Sequence, residues 1–410
     1  MTGTATTGAD AEPVEFDPFS REFFDDPSDI YRRLLDEAPC YHNERWGFYA
    51  LSRFDDVVEA AKQTDLFTST HGVNYEYLTA PDEVAEALSD LLIMKDPPEH
   101  TRYRKLVNRA FTPRSITRYQ PVVQEVIDRY LDGLQGRTEV DMVGEFAAPF
   151  PVEIISVILG VPAADRQQIR HWTDTMLHRE EGQGIATHDQ AVAAMDQAQY
   201  FADLVAEKRT HPGDDMLSVL CDVEVEDEDG GGTTRLTDNE IVSFGTLLGA
   251  AGSETVTKLI GSGLVLFDRN PDQWQLVLDD VSAIPAAAEE ILRFWPPSQY
   301  QGRLSTRDSD WHGVTIPARS PVFLITGAAT HDRRHYDEPD RFDIGRRPDV
   351  SIGFGHGAHA CIGAALARME SVVAFEQIRE RWPGFEVDES GLERVQMSNV
   401  AGYSKVPVTL

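Results

Sequence analysis

The chain has 410 residues, enough for a large buried core, and its 41% hydrophobic fraction is that of an ordinary globular protein rather than a disordered or fibrous one. Its 37 basic and 69 acidic residues leave a net charge of −32, which disfavours nucleic acid and anionic membranes as partners. Three cysteines, Cys40, Cys221 and Cys361, have no paired spacing, which excludes a disulfide framework or a Cys-rich zinc site and fits a reducing cytoplasm.

Residues 1–14 have neither a basic start nor an apolar run, so they read as a disordered tail rather than a signal peptide or membrane anchor. Apolar periodicity predicts helices over 28–37, 55–63, 100–111, 120–133, 162–178, 188–208, 238–268, 284–294 and 363–381. Strand signals are fewer: residues 47–51 alternate, and 313–325 read as two strands joined by a Pro/Ser turn. The acidic segment 222–232 ends in three glycines and predicts an exposed loop within the fold. No repeat recurs at a fixed period. The class is mainly helical with small sheets.

Residues 100–118 stand out in so acidic a chain, with Arg102, Arg104, Lys105, Arg109, Arg114 and Arg118 and no Asp or Glu. Such a run is either a solvated helix face or a dock for an anionic group or acidic partner. Further on, Thr237 and Glu240 form a capping box, with Leu236 placed to staple it. The following helix of about 31 residues would run roughly 46 Å, across a whole domain. Glu254 and Lys258 at its centre, and its glycines, argue against a membrane span. Glu254 needs a partner or water and can carry protons inward. Its neighbour Thr255 can bond the Ala251 carbonyl and loosen the helix, and Gly252 leaves a gap in its surface.

The glycines at 353, 355 and 357 let the backbone turn tightly and approach a flat ligand, and Cys361 follows just before a helix start. Amide hydrogens and the helix dipole there favour a thiolate, able to ligate a metal or act as a nucleophile, although a lone cysteine can also be a small buried hydrophobe. Glu290 and Arg293, three apart, can form a helical ion pair.

Phe354, Gly357, His359, Cys361 and Gly363 resemble the haem-binding signature of the cytochrome P450 superfamily, with His359 where Arg is commoner. Ala251 to Thr255 resembles that family's acid-alcohol motif, and Glu290 and Arg293 its Glu-x-x-Arg, with Arg341 as the third member of the network. The resemblance covers nearly the whole chain and is to soluble bacterial, actinobacterial-like members. It implies one haem-enclosing, mainly helical domain over 15–410, with haem b ligated through iron by Cys361. His100, Arg104, Arg303 and His359 would bind the propionates, and Ala251, Gly252, Phe354 and Gly363 would contact the cofactor. Its implied cycle takes two electrons from NAD(P)H through a ferredoxin reductase and ferredoxin, takes protons through Glu254 and Thr255, and inserts one oxygen atom of O2 into a substrate.

The remaining cations of 100–118, with Arg346 and Arg347, would dock the acidic donor. Met176, Leu247, Leu248, Gln299 and Val400, together with the 71–94 and 298–301 loops, are expected to line a pocket for a lipophilic steroid, terpenoid, fatty acid or polyketide. The expected protein is a cytoplasmic monomer without a membrane anchor. A peroxygenase driven by H2O2 and a non-catalytic haem sensor are the alternatives; the pairing of Glu254 with Thr255 speaks against both.

Overall fold

Thr237 caps the chain's longest helix, Asp238–Arg269: its side chain accepts from the Glu240 amide while Glu240 reaches back to the Thr237 amide. Leu236 and Ile241, on either side of the cap, are buried in one apolar cluster, as a staple requires. In this computed structural model, which describes residues 13–226 and 232–410, that helix ends one residue beyond the predicted boundary. It is buried on nearly every face from Val256 to Phe267, which accounts for its apolar composition. Among the described residues, no helix is long and apolar enough to cross a membrane.

Around this central helix pack Gln120–Asp132, Pro149–Leu159, Arg166–Leu177, His188–Thr210, Ile284–Phe294 and Ala364–Arg381, which share one large hydrophobic core. Pro149–Leu159 was not predicted. Its sequence, PFPVEIISVIL, is apolar almost all round because the helix is buried on most faces, so it carries no 3.6-residue alternation. Gly160 ends it with φ 80°, a left-handed cap that few other residues adopt.

The main sheet runs in the order Cys40–Asn43, Phe48–Leu51, Pro321–Leu324, Gln301–Ser305, Phe67–Thr68, with Phe48–Leu51 parallel to Pro321–Leu324 and the other pairs antiparallel. The two strands expected within 313–325 exist, but they belong to different sheets: Val314–Ile316 pairs with Ser309–Trp311. An aromatic cluster of Phe16, Phe23, Phe48, Tyr300 and Phe323 packs one face of the main sheet. In the acidic segment, Glu224–Glu226 pairs with Thr233–Arg235, which replaces a simple loop with a hairpin. The rest of that segment, 227–231, and most of the expected N-terminal tail, 1–12, lie outside the described residues.

Candidate active site

The sulfur-bearing loop leads directly into the helix Ala364–Arg381. Gly355 and Gly357 both have positive φ, 74° and 72°, and a Cβ on Gly357 would collide with the Ala61 carbonyl oxygen. The turn closes with the Cys361 amide donating to the Phe354 carbonyl at 2.8 Å. Cys361 opens onto a cavity enclosed by protein, and that enclosure pushes its thiol up, while the amides of Gly363 and Ala364 and the guanidinium groups of Arg104 and Arg368 hold it down. Its sulfur therefore meets both amide and guanidinium stabilisation of a thiolate.

Cys361 lies on a cavity of about 290 Å³ that is lined by His100, Arg104, Leu247, Leu248, Ala251, Gly252, Thr255, Arg303, Phe354, His359 and Gly363, all expected from the sequence. Four cation-forming side chains converge there. The His100 and His359 rings are 4.3 Å apart, and the Nε2 of each is buried without a hydrogen-bond partner among the described residues. Arg303 is buried and donates to the Gly302 carbonyl at 2.6 Å; burial lowers its pKa to about 10, with Asp96 opposing. Arg104 donates to the Ala360 carbonyl at 2.7 Å, and burial lowers it too. His359 is lowered to about 3 by burial, then by Arg303 and His100. Buried cations and orphaned ring nitrogens facing one another call for an anion between them. The two propionates of a haem would meet that need, and the Cys361 sulfur lies on the same cavity.

Thr255 presents its hydroxyl to this cavity and donates to the Ala251 carbonyl at 3.4 Å. Gly252 differs from expectation: the space of its missing side chain is taken up by Ile155, 3.1 Å from where a Cβ would stand, so the glycine admits the Pro149–Leu159 helix. Glu254 is not on the cavity. It is buried and forms an ion pair with Lys258, one turn on, at 2.9 Å, and it acts electrostatically on Asp174 of Arg166–Leu177. Partial burial and the neighbouring Glu254 push Asp174 up to about 6, against Arg170 and Lys258.

Glu290 and Arg293 form a buried bidentate pair, both contacts at 2.8 Å, and Arg293 also donates to the Thr330 carbonyl. Arg341 is a correction: its side chain is 59% exposed and pairs with Glu338, contributing only its carbonyl to the network. The third member of the network is instead Arg346, whose guanidinium reaches Glu290 at 3.3 Å and so leaves the expected docking patch. Arg102 likewise turns inward, to Glu240 on the central helix, and Arg118 pairs with Asp214. Lys105, Arg109 and Arg114 are exposed and, among the described residues, unpaired.

Of the expected pocket residues, Met176 and Val400 do not line the cavity. Gln299 faces a separate cleft of about 770 Å³ beside Tyr31 and Trp295, where its Oε1 accepts from the Tyr31 hydroxyl at 2.7 Å. Cavity residues that the sequence did not single out include Val57, Phe111, Ile155, Leu259, Leu292 and Glu370. They come from six separate stretches of chain, and no local spacing marks their convergence.

Residues 85–398 match the cytochrome P450 family. Cytochrome P450 130 of Mycobacterium tuberculosis (strain ATCC 25618 / H37Rv) is 37% identical over 387 residues, 92% of this chain and 93% of its own length. The vitamin D(3) 25-hydroxylase of Pseudonocardia autotrophica is 36% identical, over 99% of this chain and 98% of its own. The crystal structure of CYP109E1 from Bacillus megaterium in complex with testosterone superposes with a TM-score of 0.81 at 29% identity, covering 94% of this chain and 99% of that one.

Proposed function

Because this chain belongs to the cytochrome P450 family and is a monooxygenase of that family, we propose that it inserts one oxygen atom of O2 into a lipophilic small molecule, using electrons relayed from NAD(P)H by a ferredoxin reductase and a ferredoxin. The observation that carries this reading is the meeting, on one cavity, of the Cys361 sulfur and four cation-forming side chains, among which two ring nitrogens lack partners. Cys361 would ligate the haem iron, and His100, Arg104, Arg303 and His359 would face the propionates. When bound, haem supplies the reductive activation of O2 and the transfer of its oxygen atom.

The chain's own residues supply position and protons. Thr255 holds a hydroxyl at the cavity wall, and Glu254 holds a carboxyl on the other side of the same helix. Asp174, whose side chain is 46% exposed, links that carboxyl to solvent. Protons enter at Asp174, cross to Glu254 and reach the cavity at Thr255.

Leu92, Ile93, Phe111, Leu247, Leu248 and Leu324 make the cavity wall largely apolar, which supports a steroid, terpenoid, fatty acid or polyketide as substrate. A vitamin D relative and a testosterone-bound neighbour favour the steroid class. Ser298, Gln301 and Thr326 offer the polar contacts that would orient it. A cytoplasmic monomer, with residues 15–410 as one domain, completes the reading. It is tested by incubating the purified protein with a lipophile panel: product with ferredoxin, reductase and NAD(P)H is expected. Product with H2O2 alone would make it a peroxygenase, and no product with either would favour a sensor.

A further inference from the structure

Three glycines of the central helix each admit a neighbouring side chain: Gly245 and Gly249 face the Phe201 ring, and Gly252 faces Ile155 of Pro149–Leu159. Phe201 does not line the cavity, whereas Ile155 does. The atoms nearest to where a Gly252 Cβ would stand are the Cγ1, Cδ1 and Cβ of Ile155, at 3.1, 3.5 and 3.7 Å. Leu248 and Val256, one turn before and after Gly252, line the same cavity, as does Thr255. Ile155 thus fills a notch in the helix and completes an apolar stretch of wall beside the Thr255 hydroxyl. The next residues in the chain, Ser156 and Ser253, are buried, and their hydroxyls have no hydrogen-bond partner among the described residues. Buried hydroxyls of that kind call for water. Neither serine lines the cavity, while Ile155 and Gly252 beside them both do.

We propose that Ile155 is an apolar plug in the central helix, a positioning residue that sets the room beside Thr255 and keeps water held at Ser156 and Ser253 out of the cavity. Its importance for turnover rests on the monooxygenase reading, in which stray water on this wall diverts reducing equivalents to peroxide. Ile155 acts by volume and bonds no reactant. A smaller side chain there leaves a void that the surrounding helices close only in part, and the two serine hydroxyls supply the polar partners that water in it needs. The contact also explains why position 252 is glycine. Alanine is the better residue in a helix interior, but a methyl there competes with Ile155 for one space.

Urea unfolding and infrared spectroscopy of the haem-loaded protein test the plug separately from the reaction. G252A should lower the urea midpoint in the wild-type background, where its methyl meets Ile155, and raise it in the I155A background, where that space is open and only the helix preference for alanine is left. The same shift in both backgrounds would overturn the plug. In the ferrous carbonyl complex, I155A should shift or split the stretch of bound CO, and part of that change should respond to D2O as water enters. I155L, which conserves the volume, should keep the wild-type band. An I155A band identical to that of the wild type would overturn the exclusion of water. If I155A does not hold haem, I155V, which removes a single methylene, should give the same changes at smaller size, and a wild-type band in I155V would then count against the proposal. A wild type that forms no carbonyl complex would remove the monooxygenase reading and the water-excluding role together, while the urea midpoints would still report whether Ile155 fills the notch.

Discussion

Glu290 accepts from Arg293, Arg346 and the Asp343 amide at once, so its charge is answered by one guanidinium from its own helix and one from the 343–346 segment. Removing one partner from a buried network of this kind leaves an uncompensated charge. R346A is expected to cost about 3 kcal/mol in urea unfolding, whereas R341A, at an exposed side chain, should stay within about 0.5 kcal/mol. Equal costs would reverse the assignment of Arg346 as the network's third member. At Thr255, T255A should retain haem but divert reducing equivalents to peroxide; unchanged coupling of reductant to product would take the hydroxyl out of the relay. The spacing around Cys361 made the loop readable because glycine, cysteine and helix start are consecutive. Which arginine folds back on Glu290 was not readable, since Arg341 and Arg346 sit five residues apart in an irregular segment and tertiary packing alone selects between them.

The central helix was legible to within a residue because its start is written locally, in Thr237 and Glu240, and its apolar content follows from burial. Pro149–Leu159 was not, for the same burial erases the periodicity that marks a helix. The packing of Arg166–Leu177 on the central helix brings Asp174 against Glu254, a contact between residues 80 apart that no spacing rule reaches. Asp174 has a folded pKa of about 6 against an ordinary 3.8, so the folded state binds more protons in that interval. Its contribution to stability is present below about 4 and is lost as pH rises through 6. D174N, which mimics the protonated form, should therefore match the wild type near pH 4 in urea midpoint and exceed it above pH 6. A difference that does not vary with pH would break the Asp174 and Glu254 pairing. The same variant should slow O2-dependent turnover if protons enter there.

For the molecule as a whole, the charge of −32 repels acidic proteins, so an acidic donor needs a local exception. Lys105, Arg109 and Arg114 supply it, exposed and, among the described residues, unpaired on and beyond the helix that also carries His100 and Arg104 to the cavity. Reversing Lys105 and Arg109 to Glu should slow reduction by ferredoxin more at low than at high ionic strength, as screening dictates; a rate indifferent to salt would move the docking face elsewhere. Fold class and the cofactor side of the cavity could be read from the chain, because those residues fall in compact motifs. The substrate side could not. Met176, Gln299 and Val400 lie off the cavity, and its wall is instead completed by Val57, Phe111, Ile155 and Leu292, which only the assembled fold brings together. Everything proposed for this cavity depends on Cys361 as the iron ligand. The ferrous carbonyl spectrum of wild type and C361S tests that directly: the wild type should show the red-shifted Soret band of a thiolate-ligated haem and C361S should lose it, whereas a band that survives the substitution would contradict the account.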